Sequence, residues 1–196
     1  MPNASRALDV AVSMMVLTIA APVTALAAAA IKLESRGPAF YRQRRVGLHG
    51  RPFELWKLRT MVPRAESMGA GVYVLEGDPR ITRVGRLLRR FSLDELPNLV
   101  NVLKGEMAIV GPRPTVQEQV DRYTERQRRR LEVKPGITGW AQVNGRTSLP
   151  WPERIELDVW YVENRSLWLD LKILAKTARM LATGHGLYSE DLKQGW

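Results

Sequence analysis

The sequence predicts an α+β protein that is predominantly helical, with a re-entrant membrane helix broken at Pro22 ahead of a small globular domain. Three observations indicate this architecture. Residues 10–31 contain no charged side chain. After residue 36, short strand-like and helix-like patterns alternate with glycine and proline turns. Residues 167–183 have the amphipathic pattern of a helix that lies at a membrane interface. We therefore expect a short β-hairpin or sheet and amphipathic interfacial helices.

The composition is that of a folded chain with a large positive charge. Of the 196 residues, 45% are hydrophobic and 26% are charged. The absence of cysteine excludes a disulfide framework, a thiolate zinc site and a cysteine nucleophile. With only two histidines, a bound metal would be a hard cation on carboxylates. The net charge of +10 leaves nucleotides, phospholipids, polyprenyl phosphates and nucleic acids open as partners.

The uncharged segment 10–31 has the length of a membrane helix. As a helix it would measure about 33 Å, the thickness of a bilayer core. Pro22 lies near its middle, where a proline removes a backbone hydrogen bond and favours a kink or a reversal. Basic residues occur on both sides, which places both ends in the cytoplasm. These flanking residues are Arg6 before the segment, and Lys32, Arg36, Arg42, Arg44, Arg45 and Arg51 after it. A helix that returns at Pro22 satisfies both ends.

Two other interpretations of this segment remain open. Small residues around positions 25–27 resemble the cleavage site of a signal peptide, although the basic cluster that follows opposes export. A kinked helix that crosses the membrane once is the other alternative, because membrane helices tolerate proline.

The rest of the chain is predicted to consist of short elements. We expect two strands around a turn at residues 47–50, a non-regular segment at residues 111–114, and a loop or hairpin over residues 134–145. Helices are indicated by apolar spacing, with Gly105 as the stop of the second one. The expected strands are 39–46 and 52–58, and the expected helices are 82–90, 94–104, 116–131 and 167–183.

The central segment 92–97 offers two interpretations. Ser92 and Glu95 have the spacing of a capping box, in which the two side chains only stabilise a helix start. Pro97 fits poorly inside such a helix and indicates a break. Alternatively, Asp94 and Glu95 beside Arg89 are suited to holding a divalent cation and a phosphate together.

Other basic residues are candidates for binding phosphate. Lys57 and Arg59 are two positions apart in a predicted strand and so share one face. Arg113 lies between two prolines that fix its backbone. For each of them the alternative is a solvated surface charge. For the arginines between positions 80 and 90, the alternative is a helix resting on anionic lipid headgroups.

These motifs together resemble the small monotopic phosphoglycosyl transferases, the bacterial sugar-phosphate transferases that begin glycan assembly on a polyprenyl phosphate carrier. The resemblance runs almost from end to end and includes the proline-broken apolar helix. The matching blocks are FYRQRRVG (40–47), FELWKLRTM (53–61), DPRIT (78–82), SLDELP (92–97), NVLKGEMAIVGPRP (101–114), KPGITGWAQVNGR (134–146), DVWY (158–161) and DLKILAKT (170–177).

The resemblance implies a reaction and the residues that perform it. Asp94 would attack the sugar-linked phosphate of a UDP-sugar, expel UMP and carry the phosphosugar until a polyprenyl phosphate takes it. Mg²⁺ held near Asp94 and Glu95 would neutralise the phosphates. Asp158 lies in a family motif, and a structural ion pair is the alternative to a substrate contact. The implied substrate-binding residues are Lys57, Arg59, Arg89, Arg113, Gln142, Arg146 and Asp158.

The resemblance also implies a location and two parts. Residues 1–36 would form the membrane hairpin, and residues 37–196 the catalytic domain on the cytoplasmic face of the bacterial inner membrane. Partners would be a UDP-sugar, polyprenyl phosphate and membrane phospholipid, without nucleic acid. The family commonly has serine before the helix-breaking proline, whereas this chain has Ala21, and Thr18 is the candidate substitute for its hydroxyl. The sequence does not identify the sugar or the oligomeric state.

Two functions from other classes compete with this one. A membrane-tethered nucleic-acid-binding protein would agree with the charge, but no helix-turn-helix, RNA-recognition or zinc-finger pattern occurs in the sequence. A non-catalytic membrane scaffold would explain the apolar segments but not the pair Asp94 and Glu95.

Overall fold

The computed structural model describes residues 2–69, 77–145 and 149–183, with side chains described from residue 6 onward. The fold is α+β and mostly helical, as predicted. The helices are α1 (Pro2–Glu34), α2 (Arg83–Arg90), α3 (Asn98–Lys104), α4 (Gln117–Val120), α5 (Glu125–Arg128), α6 (Trp140–Val143), α7 (Trp151–Asn164) and α8 (Leu167–Thr183). The strands are β1 (Phe40–Val46), β2 (Pro52–Leu58), β3 (Ala108–Val110) and β4 (Gly136–Thr138).

Helix α1 continues through Pro22 without an interruption. Proline lacks one N–H, so the carbonyl of Thr18 loses its donor while the neighbouring turns keep theirs. The hydroxyl of Thr18 donates to the carbonyl of Met14, one turn earlier, over 2.9 Å. The helix is therefore not interrupted at Pro22. A reversal of the chain direction within the membrane at this residue stays a prediction. Residues Arg6–Glu34 are long and apolar enough to cross a membrane, judged by length and composition.

Both ends of α1 contact the globular part of the protein. Near its start, Arg6 donates to the carbonyl of Leu103 over 2.8 Å, and the carboxylate of Asp9 accepts from the N–H of Ile109 over 3.2 Å. At its other end, Glu34 accepts from the N–H of Arg83 at the start of α2 over 2.7 Å. Large apolar side chains between these contacts are exposed, among them Met14, Met15, Ile19, Val23 and Leu26.

A core cluster joins the end of α1 to the strands and helices after it. Ala27 and Ile31 are buried against Leu58 of β2 and Leu88 of α2. Gly85 of α2 lies so close to the segment after β2 that a Cβ atom there would be 2.0 Å from the carbonyl oxygen of Thr60. The last turns of α1 are therefore part of the core of the globular region.

Strands β1 and β2 form the predicted antiparallel hairpin. In its register Tyr41 is opposite Lys57, and Arg45 is opposite Phe53. Since side chains alternate along a strand, Gln43 and Arg45 share one face with Lys57. That face packs on the core in which Phe53 and Leu55 contact Val102 and Met107.

Residues 134–145 do not form a loop or a local hairpin. Strand β4 instead pairs in parallel with β3, and α6 follows directly. Glycine allows this approach, because a Cβ atom on Gly136 would be 2.1 Å from the backbone nitrogen of Gly111. The pairing places the non-regular segment 111–114, which was predicted, beside β4.

The helical predictions after residue 115 are partly correct. Residues 116–131 form α4, α5 and a 3₁₀ turn instead of one helix, because Thr124 starts α5 with a capping box. Helix α7 was not predicted, whereas α8 has the expected bounds. Leu167, Trp168 and Leu171 of α8 are exposed. Contact of α8 with a membrane interface stays a prediction.

Candidate active site

A tight turn places Asp94 and Glu95 side by side. Ser92 has a positive φ of 53°, and residues Leu93–Glu95 form a single 3₁₀ turn. Pro97 then precedes α3, so the break expected at this proline is confirmed and the helix begins at Asn98 instead of Asp94. The capping-box interpretation is wrong, because Ser92 makes no capping hydrogen bond. The two carboxylates thus lie in a turn and are not the first residues of a helix.

Glu95 is engaged by two cations. Its Oε1 atom lies 2.8 Å from Lys57 Nζ and 2.8 Å from Arg113 Nη2. Burial by itself would raise the pKa of Glu95, but Arg113 and Lys57 hold that pKa well below its ordinary value. For Lys57, burial disfavours the charged form and lowers the pKa, and the carboxylate of Glu95 opposes this shift. Glu95 is therefore an ionised residue that aligns two predicted phosphate-binding cations.

Asp94 is buried without such partners. It is 9% exposed and has no ion pair or side-chain hydrogen bond within the described residues. Burial and the charge of Glu95 raise its pKa, while Lys57, Arg89 and Arg113 lower it. A carboxylate kept out of ion pairs but surrounded by cations is suited to attacking a phosphorus atom, because the cations attract the anionic substrate.

Arg89 occupies the α2 side of these carboxylates. Its Nε atom donates to the hydroxyl of Thr60 over 2.8 Å, which fixes the direction of the guanidinium. The structure thus brings together four of the predicted cations and carboxylates around Asp94. They are Lys57, Arg89, Glu95 and Arg113.

The carboxylates fit the expected hard cation in number and type. No group of three or more histidine or acidic residues that could hold a metal occurs in the described ranges. Mg²⁺ is usually bound by one or two carboxylates together with substrate phosphates and water, so Asp94 and Glu95 are sufficient protein ligands. Asp94 has no competing partner, and Oε2 of Glu95 makes neither of its two ion pairs.

A cleft beside Glu95 contains two residues that sequence analysis did not assign to the site. Arg45 was considered only as a charge that flanks the membrane helix, and Asn98 was not considered. Alternation places Arg45 on the face of Lys57 only once the register of β1 and β2 is known. The Oδ1 atom of Asn98 is buried and has no hydrogen-bond partner among the described residues. The cleft is lined by Arg45, Leu55, Lys57, Glu95, Asn98, Met107, Arg113, Pro114, Gly136 and Ile137.

The structure gives Arg59 a different position from the predicted one. Its Nη atoms donate to the carbonyls of Ser35 and Arg36, over 2.8 and 3.0 Å, at the end of α1. A cation there complements the partial negative charge of a helix C-terminus. Arg59 thus ties the segment after β2 to the end of α1.

Asp158 is buried in an ion pair with Arg130, which was the structural alternative for this residue. Arg130 also donates to the backbone carbonyl of Arg113 over 2.9 Å. Among the described residues, Asp158 is therefore linked to the site through Arg130.

The two remaining predicted residues are Gln142, which lies in α6, and Arg146. Gln142 Nε2 donates to the carbonyl of Ile137, a residue of the cleft, over 2.8 Å, while its Oε1 is buried without a partner. A substrate contact of Gln142 stays a prediction. Arg146 lies outside the described residues.

Comparison with known proteins decides the family. The bacterial sugar transferase family model matches residues 2–184. The chain belongs to the bacterial sugar transferase family. The resemblance found in the sequence blocks is thereby confirmed.

Individual bacterial sugar transferases are similar to this chain over most of its length. The uncharacterised sugar transferase EpsL of Bacillus subtilis (strain 168) is 46% identical over 182 residues, which cover 93% of this chain and 89% of that protein. A UDP-glucose:undecaprenyl-phosphate glucose-1-phosphate transferase of Caulobacter vibrioides is 45% identical, with 93% of this chain and 71% of that protein covered.

The undecaprenyl-phosphate galactose phosphotransferase of Salmonella typhimurium is 41% identical over 93% of this chain. The match covers 41% of that protein, so this chain spans less than half of the Salmonella transferase and most of the Bacillus and Caulobacter ones. The three relatives thus differ in how much sequence lies outside the shared region.

Proposed function

We propose that this bacterial sugar transferase moves a sugar-1-phosphate from a UDP-sugar to undecaprenyl phosphate through a covalent intermediate on Asp94. One observation carries the proposal: Asp94 is buried without an ion-pair or hydrogen-bond partner in the described part of the chain, while the adjacent Glu95 takes up two cations. The names of the Caulobacter and Salmonella relatives, which are undecaprenyl-phosphate sugar phosphotransferases, support the reaction class.

The first step is the attack of Asp94 on the UDP-sugar. A carboxylate oxygen of Asp94 forms a bond to the phosphorus that carries the sugar. The bond from that phosphorus to the bridging oxygen breaks, and its electron pair leaves with UMP. Lys57, Arg89 and Arg113 are placed to offset the charge of the phosphates, since all three act on Asp94.

In the second step a phosphate oxygen of the lipid carrier attacks the same phosphorus. The bond to Asp94 breaks, and the carboxylate is regenerated as the lipid diphosphosugar leaves. Bound Mg²⁺ would supply positive charge at the diphosphate, with Asp94 and Glu95 as its protein ligands. Glu95 also keeps Lys57 and Arg113 in place, over 2.8 Å to each.

The second substrate requires the site to be held at the membrane surface, because its phosphate is fixed at headgroup depth. A re-entrant α1 on the cytoplasmic face of the inner membrane would hold it there. This topology is supported by the contacts of Arg6 and Glu34, which attach both ends of the helix to the same globular region. Leu87 and Phe91 add exposed apolar side chains beside the arginines of α2 and are candidates for lipid contact.

A single-turnover experiment tests the reaction. The protein is incubated with a panel of UDP-sugars and Mg²⁺ but without lipid carrier, and UMP and intact-protein mass are measured. We expect about one equivalent of UMP and a phosphosugar adduct with the correct sugar, and neither product with Asp94→Asn. Asp121→Asn, at an exposed aspartate, is the matched control and should behave like the wild type.

The outcomes separate this function from its competitors. An adduct on Asp94→Asn as abundant as on the wild type would overturn the nucleophile. A wild type that turns over with lipid carrier but never shows an adduct would favour direct displacement. A scaffold or a nucleic-acid-binding protein would release no UMP with any sugar.

A further inference from the structure

Arg45 is held in one orientation by an uncharged partner. Its Nε atom donates to Oε1 of Gln43 over 3.0 Å, and its Nη2 donates to the same oxygen. Its Nη1 donates to the carbonyl of Pro114 over 3.3 Å. Gln43 in turn donates to Glu66 over 3.2 Å, and Glu66 also accepts from the hydroxyl of Tyr41. The guanidinium is therefore pre-oriented at the wall of the cleft by residues of its own strand.

The charge of Arg45 is not neutralised within the described part of the chain. Of the buried arginines, Arg80 and Arg130 have carboxylate partners, Asp78 and Asp158, whereas Arg59 is held by backbone carbonyls at the end of α1. Arg45 is partly buried and has no ion pair among the described residues. Burial and the neighbouring Arg113 lower its pKa to about 10. A desolvated cation beside other cations is unfavourable unless an anion completes the group.

The position of Arg45 indicates which anion this is. Arg45, Lys57 and Arg113 line the same cleft. Lys57 and Arg113 bind Glu95, next to Asp94, whereas Arg45 is held by Gln43 and the carbonyl of Pro114. A diphosphate that presents one phosphorus to Asp94 carries a second phosphate, and Arg45 is the cation of this cleft that no carboxylate of the described residues engages.

Resting on the proposed function, we infer that Arg45, oriented by Gln43, binds the phosphate that stays with UMP. When the bond between the bridging oxygen and the sugar-linked phosphorus breaks, the negative charge that develops on the leaving phosphate is offset by the guanidinium. Gln43 is a positioning residue, because it acts on the nucleotide only through Arg45. Arg89 is not assigned to this phosphate. It lies on α2, and its neighbour Leu88 packs against the end of α1.

The test measures nucleotide binding instead of turnover. UMP and uridine are titrated calorimetrically into the full-length protein in detergent with Mg²⁺ present. We expect Arg45→Gln to weaken UMP binding by about 10- to 100-fold, the loss typical of a charge-assisted contact, and to leave uridine binding unchanged. Arg45→Lys keeps the charge but loses the double contact with Gln43. Its affinity for UMP should therefore lie between those of the wild type and Arg45→Gln.

Arg44→Gln is the matched control, because it removes the same charge from the exposed face of the same strand. It should change UMP affinity by less than about twofold, since exposed charges act weakly. Wild-type affinity for UMP in Arg45→Gln, or an equal loss in Arg44→Gln, would overturn the inference. So would a wild type that does not bind UMP.

Two further results keep the test decisive. If Arg45→Gln does not fold, the UMP affinity of Arg45→Lys decides, and an unchanged value would contradict the assignment. A wild type that binds UMP through Arg45 yet forms no adduct on Asp94 would refute the proposed transfer and leave this assignment intact.

Discussion

Arg130 donates a hydrogen bond from Nη2 to the backbone carbonyl of Arg113 over 2.9 Å. Because the same nitrogen forms the ion pair with Asp158, a buried charge on α7 is connected to the loop that carries Arg113. Arg113 in turn binds Glu95. The orientation of an active-site cation therefore depends on an ion pair that is remote from the substrate.

Removing Arg130 should destabilise the protein and misplace Arg113. Arg130→Met leaves Asp158 buried without its partner, so we expect a loss of about 3 kcal/mol in the free energy of unfolding. UMP release per folded molecule should fall by about 10-fold or more, because the loop of Arg113 is no longer fixed. Thermal melts in detergent and single-turnover assays measure both effects.

The control for this prediction is Arg126→Met, since Arg126 forms exposed ion pairs with Glu156 and Glu163. It should cost less than about 1 kcal/mol.

Burial already raises the pKa of Asp158 to about 6 although Arg130 opposes the shift, so this pKa rises further without Arg130. When the pKa of a carboxyl is raised in the folded state, the free energy of unfolding of the protein decreases as the pH rises through that pKa. The deficit of Arg130→Met should therefore shrink on acidification, and a pH-independent deficit would contradict the account.

Asp94→Asn should be inactive but more stable than the wild type at neutral pH. Because burial and Glu95 raise the pKa of Asp94, its ionised form is disfavoured by the folded state. The asparagine avoids this cost, and we expect a higher Tm for Asp94→Asn than for the wild type at neutral pH. The gain should vanish in acid, below the unfolded-state pKa of about 3.9, where both side chains are neutral. A lower Tm for Asp94→Asn at neutral pH would sink this prediction.

Glu95→Gln should have the opposite effect on stability. Its substitution leaves Lys57 and Arg113 without their common carboxylate, which should cost about 3 kcal/mol. Since the pKa of Glu95 is well below its ordinary value, the wild type keeps this stabilisation above the unfolded-state pKa of about 4.3 and loses it as the pH falls through the lowered pKa. Slow residual adduct formation on Asp94 is expected. Equal Tm values for Glu95→Gln and Asp94→Asn would be inconsistent with the different partners of the two carboxylates.

Chelation of divalent cations should abolish UMP release, and added Mg²⁺ should restore it. Without the cation, the carboxylates of Asp94 and Glu95 repel the diphosphate. Release should be followed in excess chelator and again after Mg²⁺ is added back. Turnover that is undiminished in chelator would exclude the metal role assigned to Asp94 and Glu95.

The topology of α1 can be tested with single cysteines in this cysteine-free chain. If the helix returns at Pro22, Ala7→Cys and Arg36→Cys should both be protected from an impermeant thiol reagent added to intact cells. Pro22→Leu restores the missing backbone donor and should shift α1 toward a straight span, which moves position 7 to the periplasm. Periplasmic labelling of Ala7→Cys with Pro22 in place would establish a single crossing.

Local patterns predicted the elements that are held by local interactions. The hairpin of β1 and β2 has almost the expected bounds, because its turn and its alternation are encoded within 20 residues. Helix α8 and the stop at Gly105, with a φ of 83°, also follow from local spacing and capping. Strand β4 could not be predicted from local patterns, because its partner β3 is almost 30 residues away and two glycines permit the pairing.

The site was predicted in its chemistry but not in all of its positions. Asp94, Glu95, Lys57 and Arg113 lie together as the motifs implied. Arg59 was placed with them because it is two residues from Lys57, but β2 ends at Leu58 and the side chain turns to α1. Arg45 was overlooked because a run of four charged or polar residues does not show which one faces the core. Only the register with β2 separates Arg45 from Arg44.

The core cluster of Ala27, Ile31, Leu58 and Leu88 crosses the boundary predicted at residue 36. A truncated protein that begins at residue 37 would lose two of these four side chains together with the carbonyl acceptors of Arg59. Leu58 and Leu88 would then face water, at a cost of about 1.5 to 3 kcal/mol for each side chain. Efforts to obtain a detergent-free enzyme should therefore retain the last two turns of α1 and solubilise their outer face, where Leu33 is 89% exposed, instead of deleting the anchor.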